Sequence, residues 1–304
     1  MCPQKTISSA GFKKGPLLAL VFLTLIWGYN WVVMKEGLRF CGPFVFAALR
    51  TVPSSLFLFV LLLWKRKDPR PWNAKLMILL GILSTTAGLG LPMWALVSGS
   101  AGKTAILLYT MPFWALILAW PILGERIHGL EWPAIFTAFA GLVLILKIGA
   151  VSDDLFSSLL AVLAGIAWAG SAVVTRILRR RPGFDLLSLT AWQMIFGTPI
   201  LVAVAFLVPA PQTQWTPFFV GALLYNIFFT SVIAFLLWFY ILDNLSAGVA
   251  TMSTLATPVV SIISAAVQLG EIPSPKEALG MLLILAGIGL LCYMTLRRNS
   301  NNQD

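Results

Sequence analysis

The sequence predicts an all-α polytopic membrane protein of ten transmembrane helices, arranged as two inverted five-helix repeats. Three observations lead to this fold class: the composition, the spacing of the apolar stretches, and a similarity between the two halves. Of the 304 residues, 59% are hydrophobic and 11% are charged, whereas a soluble domain is about 45–50% apolar and about 25% charged. The composition therefore excludes an ordinary soluble enzyme, and ten spans leave no room for a soluble domain.

Ten apolar stretches have the length of a membrane span, which takes about 20 helical residues. Charged or Pro/Gly-rich segments separate most of them, and only the segment 99–101 separates the third from the fourth. The first stretch follows Lys13 and Lys14 but is long and lacks a clean cleavage site, so we interpret it as a retained span and not as a signal peptide. The predicted spans are residues 15–35, 43–64, 75–98, 102–123, 131–149, 155–178, 186–208, 217–242, 246–269 and 276–296.

The basic residues predict the orientation of these spans, because cytoplasmic loops are enriched in Lys and Arg. One set of helix ends and loops carries 15 of the 21 basic residues, the opposite set carries five, and Arg50 lies inside a span. An even number of spans returns the chain to the side on which it starts. We therefore expect an integral protein of the plasma (inner) membrane with both termini in the cytoplasm.

Few residues could support metal, redox or hydrolytic chemistry. Cys2, Cys41 and Cys292 are too scattered for a disulfide framework, and the single His128 provides no ligand cluster. The net charge of +10 arises from residues between apolar runs, so it does not indicate nucleic-acid binding. We expect a protein that is not an enzyme and that needs no cofactor and no metal.

One segment, residues 99–104, resembles a phosphate-binding loop. The position of its first glycine is occupied by Val97, and no strand precedes it, so the match to the motif fails. We instead expect Lys103 to be an interfacial cation whose stem extends along the helix toward water.

The two halves of the chain resemble each other when the sequence is aligned with itself at an offset of 146 residues. Pro112 then aligns with Pro258, and after the same 13-residue interval the Gly-Glu pair at 124–125 aligns with the pair at 270–271. Self-similarity at a fixed period indicates an internal repeat. Further matches, at this offset or at 141, are Trp94 on Tyr240, Ala101-Gly102 on Ala247-Gly248, and Trp27 on Trp168.

Each half, residues 1–150 and residues 151–304, holds five predicted spans. Because five is odd, the second half must enter the membrane in the opposite sense to the first, so the repeats are inverted. Inverted repeats are typical of secondary transporters, in which substrate binds near the midplane and rocking exposes it to either side. The architecture predicts alternating access but does not identify the cargo.

The matched residues resemble the drug/metabolite transporter (DMT) superfamily, and specifically its members with two EamA domains. The resemblance rests on the internal prolines, the Gly-Glu helix ends and the small-residue segments 100–105 and 246–250, and it covers nearly the whole chain. Within the superfamily, the sequence is similar to the YddG-type exporters of aromatic and other neutral amino acids. The resemblance implies a ten-helix basket around a central cavity, with spans 1, 3, 4, 6, 8 and 9 innermost.

Aromatic and polar side chains within the spans are the candidate lining of that cavity. Such a side chain needs a polar partner or a wet cavity, and a mainly aromatic and apolar lining suits small amphiphilic ligands. We expect part of this set to line the pathway. The candidates are Trp27, Asn30, Trp31, Trp94, Tyr109, Trp168, Ser171, Tyr225 and Trp238.

Five further residues are candidates for gating. Pro112 and Pro258 interrupt equivalent helices and are candidate hinges. Glu125 and Glu271 follow those helices, where we favour capping or contacts between the repeats over direct proton coupling. Arg50 is the only charge well inside an apolar run, and it either extends to the interface or bonds a carbonyl, or serves a substrate carboxylate or a gating ion pair.

The predicted function is the export of small neutral or zwitterionic metabolites, with aromatic and other neutral amino acids as the favoured cargo. A charged substrate would lack a counter-ion, because no Asp or Glu lies at mid-span. Another DMT cargo (a nucleobase, a sugar or a lipophilic drug), a passive channel and a structural membrane subunit remain alternatives, although no polar stripe typical of a pore is evident. The expected partners are the substrate and the lipid bilayer, with no nucleic acid, and we expect a monomer.

Overall fold

The computed structural model describes residues 14–68, 70, 71, 73–127, 129, 131–146, 153–180, 183–244 and 252–301. Within these residues the regular elements are all helical. Each predicted span coincides with one of ten helices, although the end of span five and the start of span nine lie outside the described residues. The helices are α1 (Lys14–Gly37), α2 (Pro43–Trp64), α3 (Ala74–Ser98), α4 (Ala101–Leu123), α5 (Glu131–Leu146), α6 (Asp153–Arg179), α7 (Leu186–Leu207), α8 (217–244), α9 (Met252–Leu269) and α10 (Pro275–Asn301).

Eight of these helices are long and apolar enough to cross a membrane. The other two, α5 and α9, contain shorter apolar helical stretches, Glu131–Leu146 and Ala256–Leu269. Large apolar side chains are exposed on the outer helix surfaces, among them Phe136, Phe206 and Leu282. Apolar exposure of this kind is typical of a surface that faces lipid.

Salt bridges bring alternate helix ends together. Lys67, after α2, pairs with Asp185, before α7, at 3.1 Å. Glu125, after α4, pairs with Arg176, in the last turn of α6, at 2.5 Å. These ends of α2, α4, α6 and α7 therefore lie on one face of the protein, which we call the Lys67 end.

The remaining helix ends meet on the opposite face. Lys103, in the first turn of α4, pairs with Asp154 at the start of α6 and with Glu277 at the start of α10. The backbone N–H of Gln214, before α8, donates to the carbonyl oxygen of Phe40, after α1, at 2.9 Å. We call this face the Lys103 end. Consecutive helices thus run in opposite directions through the described part of the chain.

Two helices carry a π-helical segment near the middle. In α3 it covers Gly81–Ala87, and in α8 it covers Tyr225–Ile233. A π-helical turn displaces carbonyls from the regular ladder, and such turns are common at functional sites. The indole N–H of Trp168 in α6 donates to the carbonyl oxygen of Gly88 at 2.8 Å, and that of Trp27 in α1 donates to Thr230 at 3.3 Å.

The interface between α5 and α10 depends on glycines at the contact. A Cβ added to Gly141 would lie 2.5 Å from the carbonyl oxygen of Gly280, and one added to Gly280 would lie 2.7 Å from that of Gly141. Two backbones can approach this closely only where neither residue has a side chain, as in small-residue contacts between membrane helices. The pair therefore fixes α5 of the first half against α10 of the second.

We expect Gly280→Ala and Gly221→Ala to change stability in opposite directions. The Gly280 variant should lose about 1–3 kcal/mol through overpacking. Gly221 lies in the helical segment Pro217–Leu224 with nothing within 4 Å of an added Cβ, so its variant should gain about 0.5–1 kcal/mol of helix propensity. Thermal unfolding of both purified variants in detergent measures the difference, and a Gly280 variant as stable as the Gly221 variant would contradict the close approach.

Candidate transport site

Arg50 in α2 is buried, with 5% of its surface exposed. Its Nη2 donates to the hydroxyl oxygen of Thr230 in α8 at 3.1 Å, and its Nη1 lies 3.3 Å from the Met34 sulfur in α1. Its Nε has no hydrogen-bond partner, and within the described residues it forms no salt bridge. Arg50 therefore neither extends to the interface nor bonds a carbonyl, which were the two structural interpretations of the sequence.

Two buried asparagines lie one helical turn from the residues that contact Arg50. Asn30 precedes Met34 by four residues in α1, and Asn226 precedes Thr230 by four residues in α8. Both are buried, and the Oδ1 of each has no hydrogen-bond partner. The Thr230 hydroxyl donates to the Asn226 carbonyl oxygen at 2.7 Å, which fixes the relative position of these two residues. We call Asn30, Met34, Arg50, Asn226 and Thr230 the Arg50 cluster.

Three of the predicted lining aromatics lie where α1 packs against α8. Trp27 and Trp238 have ring centroids 6.2 Å apart. The Tyr225 hydroxyl donates to the carbonyl oxygen of Ile26 at 2.9 Å. Because Trp27 also donates to the Thr230 carbonyl oxygen, these rings adjoin the Arg50 cluster.

The other predicted lining residues lie elsewhere in the bundle. Trp168 joins α6 to α3, and the hydroxyl of Ser171 donates to the Trp168 carbonyl oxygen at 2.7 Å. Trp31 and Tyr109 are buried in the main hydrophobic core. Trp94 is 40% exposed and has its ring centroid 5.5 Å from that of Phe44. The structure thus groups Trp27, Asn30, Tyr225 and Trp238 around one site and leaves the other five candidates outside it.

Glu271 joins the two halves at the Lys103 end. Its Oε2 accepts a hydrogen bond from the backbone N–H of Ala101, the first residue of α4, at 2.7 Å. A carboxylate at a helix N-terminus satisfies a free N–H and interacts favourably with the helix dipole. The contact joins the start of α4, in the first half of the chain, to the segment after α9, in the second.

Lys35 binds the other side of the same turn, a role that was not predicted from the sequence. Its Nζ donates to the carbonyl oxygens of Leu96 at 2.7 Å and Gly99 at 2.8 Å, which end α3. A cation at a helix C-terminus is stabilised by the free carbonyls and the dipole. Lys35 and Glu271 therefore hold the α3–α4 turn from its two sides, and we call this arrangement the Lys35–Glu271 clamp.

The equivalent residues on the other face make a different contact. At an offset of 141 Lys35 aligns with Arg176, and at an offset of 146 Glu271 aligns with Glu125. Arg176 and Glu125 pair directly with each other, and about half of each side chain is exposed. The segment 245–251, which aligns with the α3–α4 turn, lies outside the described residues. As far as the described residues show, Lys35 and Glu271 hold a helix turn, and Arg176 and Glu125 form an exposed ion pair.

The Gly-Glu sequences after α4 and α9 have the same backbone geometry. Gly124 and Gly270 have φ of 70° and 67°, in the left-handed region that glycine adopts without a steric penalty. The N–H groups of Glu125 and Glu271 donate to the carbonyl oxygens of Ala119 and Ala265 at 3.4 and 3.3 Å. The glycine therefore ends each helix and turns the glutamate back toward it.

The prediction that Lys103 extends toward water was wrong. Its side chain is 6% exposed and pairs with Asp154 and Glu277. Glu277 in turn accepts hydrogen bonds from the N–H and hydroxyl of Ser274, at 3.0 and 2.7 Å, as in a capping box. The Ser-x-x-Glu spacing before α10 was the available sequence signal, but it did not indicate a lysine partner. The pocket between α4 and α9–α10, of about 310 Å³, is lined by Lys103, Glu271 and Glu277.

A known protein family matches both halves of the chain. A model described as the EamA-like transporter family matches residues 14–147 and again residues 155–293. The chain belongs to the EamA-like transporter family. Each match spans five consecutive helices, so this EamA-family chain, an integral membrane protein of the drug/metabolite transporter superfamily, contains two EamA regions.

Similar proteins carry transporter names. "Uncharacterized transporter YoaV" of Bacillus subtilis is 28% identical over 288 residues, covering 93% of this chain and 98% of the relative. "Probable amino-acid metabolite efflux pump" of Salmonella typhimurium is 24% identical over 286 residues, covering 91% and 94%. "Uncharacterized inner membrane transporter YedA" of Escherichia coli K12 is 25% identical over 281 residues, covering 91% and 90%.

A solved crystal structure has the same fold as this EamA-family chain. The TM-score is 0.63 at 18% sequence identity, and the match covers 94% of this chain and 99% of the other. At this identity the likeness extends to the fold alone.

Proposed function

We propose that this EamA-family protein exports small neutral or zwitterionic metabolites, most favourably aromatic and other neutral amino acids, by alternating access. The observation that carries the proposal is the set of contacts that these acid–base residues make within the part of the chain that the structure describes. Glu271 holds a helix turn of the opposite half at the Lys103 end, while Glu125 forms an exposed ion pair at the Lys67 end. A transporter that closes one face at a time uses contacts between its two halves, such as that of Glu271 with Ala101, to hold a face closed.

The proposed architecture is ten spans in two inverted repeats, residues 1–150 and 151–304. It is supported by the π-helical segments of α3 and α8, which overlap at an offset of 146. It is also supported by the tryptophans of α1 and α6, each of which donates to the π-containing helix of the other half. Five antiparallel helices in each half give the two repeats opposite directions through the membrane.

The proposed site combines the Arg50 cluster with the adjoining aromatic residues. Trp27, Tyr225 and Trp238 would contact an apolar or aromatic side chain of the substrate. Trp168 and Ser171 lie at the equivalent helix pair of the other half and would line the pathway there. Three further candidates lie outside the site in this conformation and would join the proposed lining only after the helices move: Trp31, Trp94 and Tyr109.

The proposed orientation places the Lys67 end and both termini in the cytoplasm. Lys65, Lys67, Arg126, Arg176 and Arg179 lie at this end, in agreement with the enrichment of basic residues in cytoplasmic loops. The relative YedA is named an inner membrane transporter, and we propose the same membrane for this protein, which we expect to act as a monomer.

Counterflow in proteoliposomes tests the cargo. Vesicles loaded with unlabelled phenylalanine should accumulate labelled phenylalanine transiently, and phenylalanine should exchange at least about tenfold faster than lysine or glutamate. The second ammonium of lysine and the second carboxylate of glutamate would each be buried without a partner of opposite charge. A passive channel would equilibrate the label without an overshoot, and protein-free vesicles are the control. Rapid lysine or glutamate exchange with neutral amino acids inert would contradict the proposal, and exchange of nucleobases or sugars alone would redirect it within the superfamily.

A further inference from the structure

The Arg50 guanidinium has more hydrogen-bonding capacity than its neighbours use. Guanidinium carries five N–H donors and stays protonated at neutral pH. One hydroxyl and one thioether contact this group, and Nε has no partner. Among the described residues no carboxylate pairs with it. A buried charge without a counter-ion is unfavourable unless a bound group of opposite charge compensates it.

Two buried asparagines lie one helical turn from the residues that Arg50 contacts. The helices α1 and α8 run in opposite directions. Asn30 therefore lies farther from the Lys103 end than Met34 does, and Asn226 lies nearer to that end than Thr230 does. Along the bundle axis, Asn30 and Asn226 therefore both lie between Met34 and Thr230, the two residues that Arg50 contacts. Their Oδ1 atoms are buried acceptors without partners, and a buried unpaired acceptor is itself unfavourable.

The guanidinium and the two amide oxygens are complementary to the charged groups of an α-amino acid. Free N–H donors of a guanidinium match a carboxylate, which they bind in a planar and often bidentate arrangement. Amide oxygens match the N–H donors of an ammonium group. The aromatic rings of Trp27, Tyr225 and Trp238 adjoin the cluster and would contact the substrate side chain.

We infer that Arg50 is a substrate-binding residue that selects for a free carboxylate, while Asn30 and Asn226 accept hydrogen bonds from the ammonium group of the same substrate. The inference rests on the proposed function and extends it by naming the chemical class: a zwitterion with an α-carboxylate. Thr230 is a positioning residue, because its hydroxyl joins Nη2 of Arg50 to the Asn226 backbone.

The test compares equilibrium binding of phenylalanine, phenylalanine amide and phenethylamine by the purified protein. The amide removes the carboxylate charge, and phenethylamine removes the carboxyl group entirely. The wild-type protein should bind phenylalanine most tightly. Arg50→Gln should weaken phenylalanine binding by about a hundredfold, the loss expected for a truncated buried charge pair, and should change amide binding by less than about threefold.

Two further variants separate recognition from folding. Arg50→Lys keeps the charge and should retain the preference for phenylalanine over its amide, with weaker affinity because the planar fork is lost. Arg39→Gln is the matched control, since Arg39 is an exposed cation paired with Glu36 at the Lys103 end, and it should leave all three affinities unchanged. Should Arg50→Gln fail to fold, Thr230→Val should still weaken phenylalanine binding more than amide binding.

The possible outcomes separate this inference from the proposed function. If Arg50→Gln, or Thr230→Val in its place, keeps the wild-type preference for phenylalanine over its amide, the inference is overturned while amino-acid transport stands. Equal weakening of all three ligands would assign Arg50 a structural role and would also overturn it. If the wild-type protein neither binds nor exchanges any neutral amino acid, the proposed cargo itself fails.

Discussion

Glu271→Ala is expected to raise about tenfold the rate at which an impermeant maleimide labels a cysteine introduced by Ile262→Cys. Ile262 in α9 packs against Gly102 at the start of α4, beside the Lys35–Glu271 clamp. Loss of a charge-assisted hydrogen bond is worth about 1.5–3 kcal/mol, which changes the ratio of closed to open forms about tenfold or more. Glu271→Gln, which keeps a neutral acceptor, should give a smaller increase.

The labelling is measured on intact cells, in a background in which the three native cysteines are replaced. Glu125→Ala is the matched control, because the equivalent carboxylate forms an exposed ion pair worth at most about 1 kcal/mol at the other face. It should not increase labelling at position 262. Unchanged labelling in a folded Glu271→Ala variant would show that the contact stabilises the fold without controlling access.

Lys35 provides an independent test of the same clamp. Lys35→Met keeps the length of the side chain and removes the ammonium group that holds the α3 carbonyl oxygens. The labelling rates give a free-energy change for each variant. If the two residues close the same face, the change in the double variant Lys35→Met/Glu271→Ala should be smaller than the sum of the two single changes, because both residues act on one turn.

The helices and their order were predictable because each is an apolar run of span length with charged or turn-forming residues at its ends. Periodicity and loop charge are local signals, and they placed the ten helices within a few residues. The π-helical segments Gly81–Ala87 and Tyr225–Ile233 were not predictable in this way. Each segment contains or adjoins a carbonyl oxygen, that of Thr230 or Gly88, that accepts a hydrogen bond from a distant tryptophan, Trp27 or Trp168.

The candidate site was only partly predictable for the same reason. Arg50 was identified because a charge within an apolar run is rare and unfavourable. Its neighbours, Met34 and Thr230, are respectively an ordinary apolar residue and an ordinary small polar residue of a span, and only the packing of α1, α2 and α8 brings them together. Lys103 was misinterpreted because its counter-ions lie 51 and 174 residues away in sequence.

The internal repeat contained a signal for the residues of the Lys35–Glu271 clamp. Lys35 aligns with Arg176 at the same offset, 141, that aligns Trp27 with Trp168. A basic residue at equivalent ends of α1 and α6, together with a glutamate after α4 and α9, was therefore present in the sequence as a matched pair of acid–base contacts. What the sequence could not show is the helix turn that Lys35 and Glu271 hold, because the carbonyls and N–H groups of that turn are brought to them only by the packing of the helices.

Pro112→Ala and Pro258→Ala are each expected to slow phenylalanine counterflow about tenfold or more without lowering the thermal stability. In α4 the helix is interrupted after Leu108 and resumes at Met111, with Pro112 at the start of the second segment. Proline has no N–H and clashes with the preceding turn. Alanine restores a donor that can bond the Leu108 carbonyl oxygen and make α4 one continuous helix. Pro258, inside α9, aligns with it.

Straightening these helices should slow transport because α4 and α9 carry both the hinge and the closing contact. The break near Pro112 lies between the rest of α4 and Ala101, the residue that Glu271 holds, and Glu271 itself follows the helix that contains Pro258. A hinge at each proline would let these ends move while the helices stay packed against α6 and α1. Pro199→Ala is the control, since Pro199 is an exposed internal proline of α7 and should leave counterflow within about twofold of wild type. Normal counterflow in both the Pro112 and Pro258 variants would show that neither proline is a hinge.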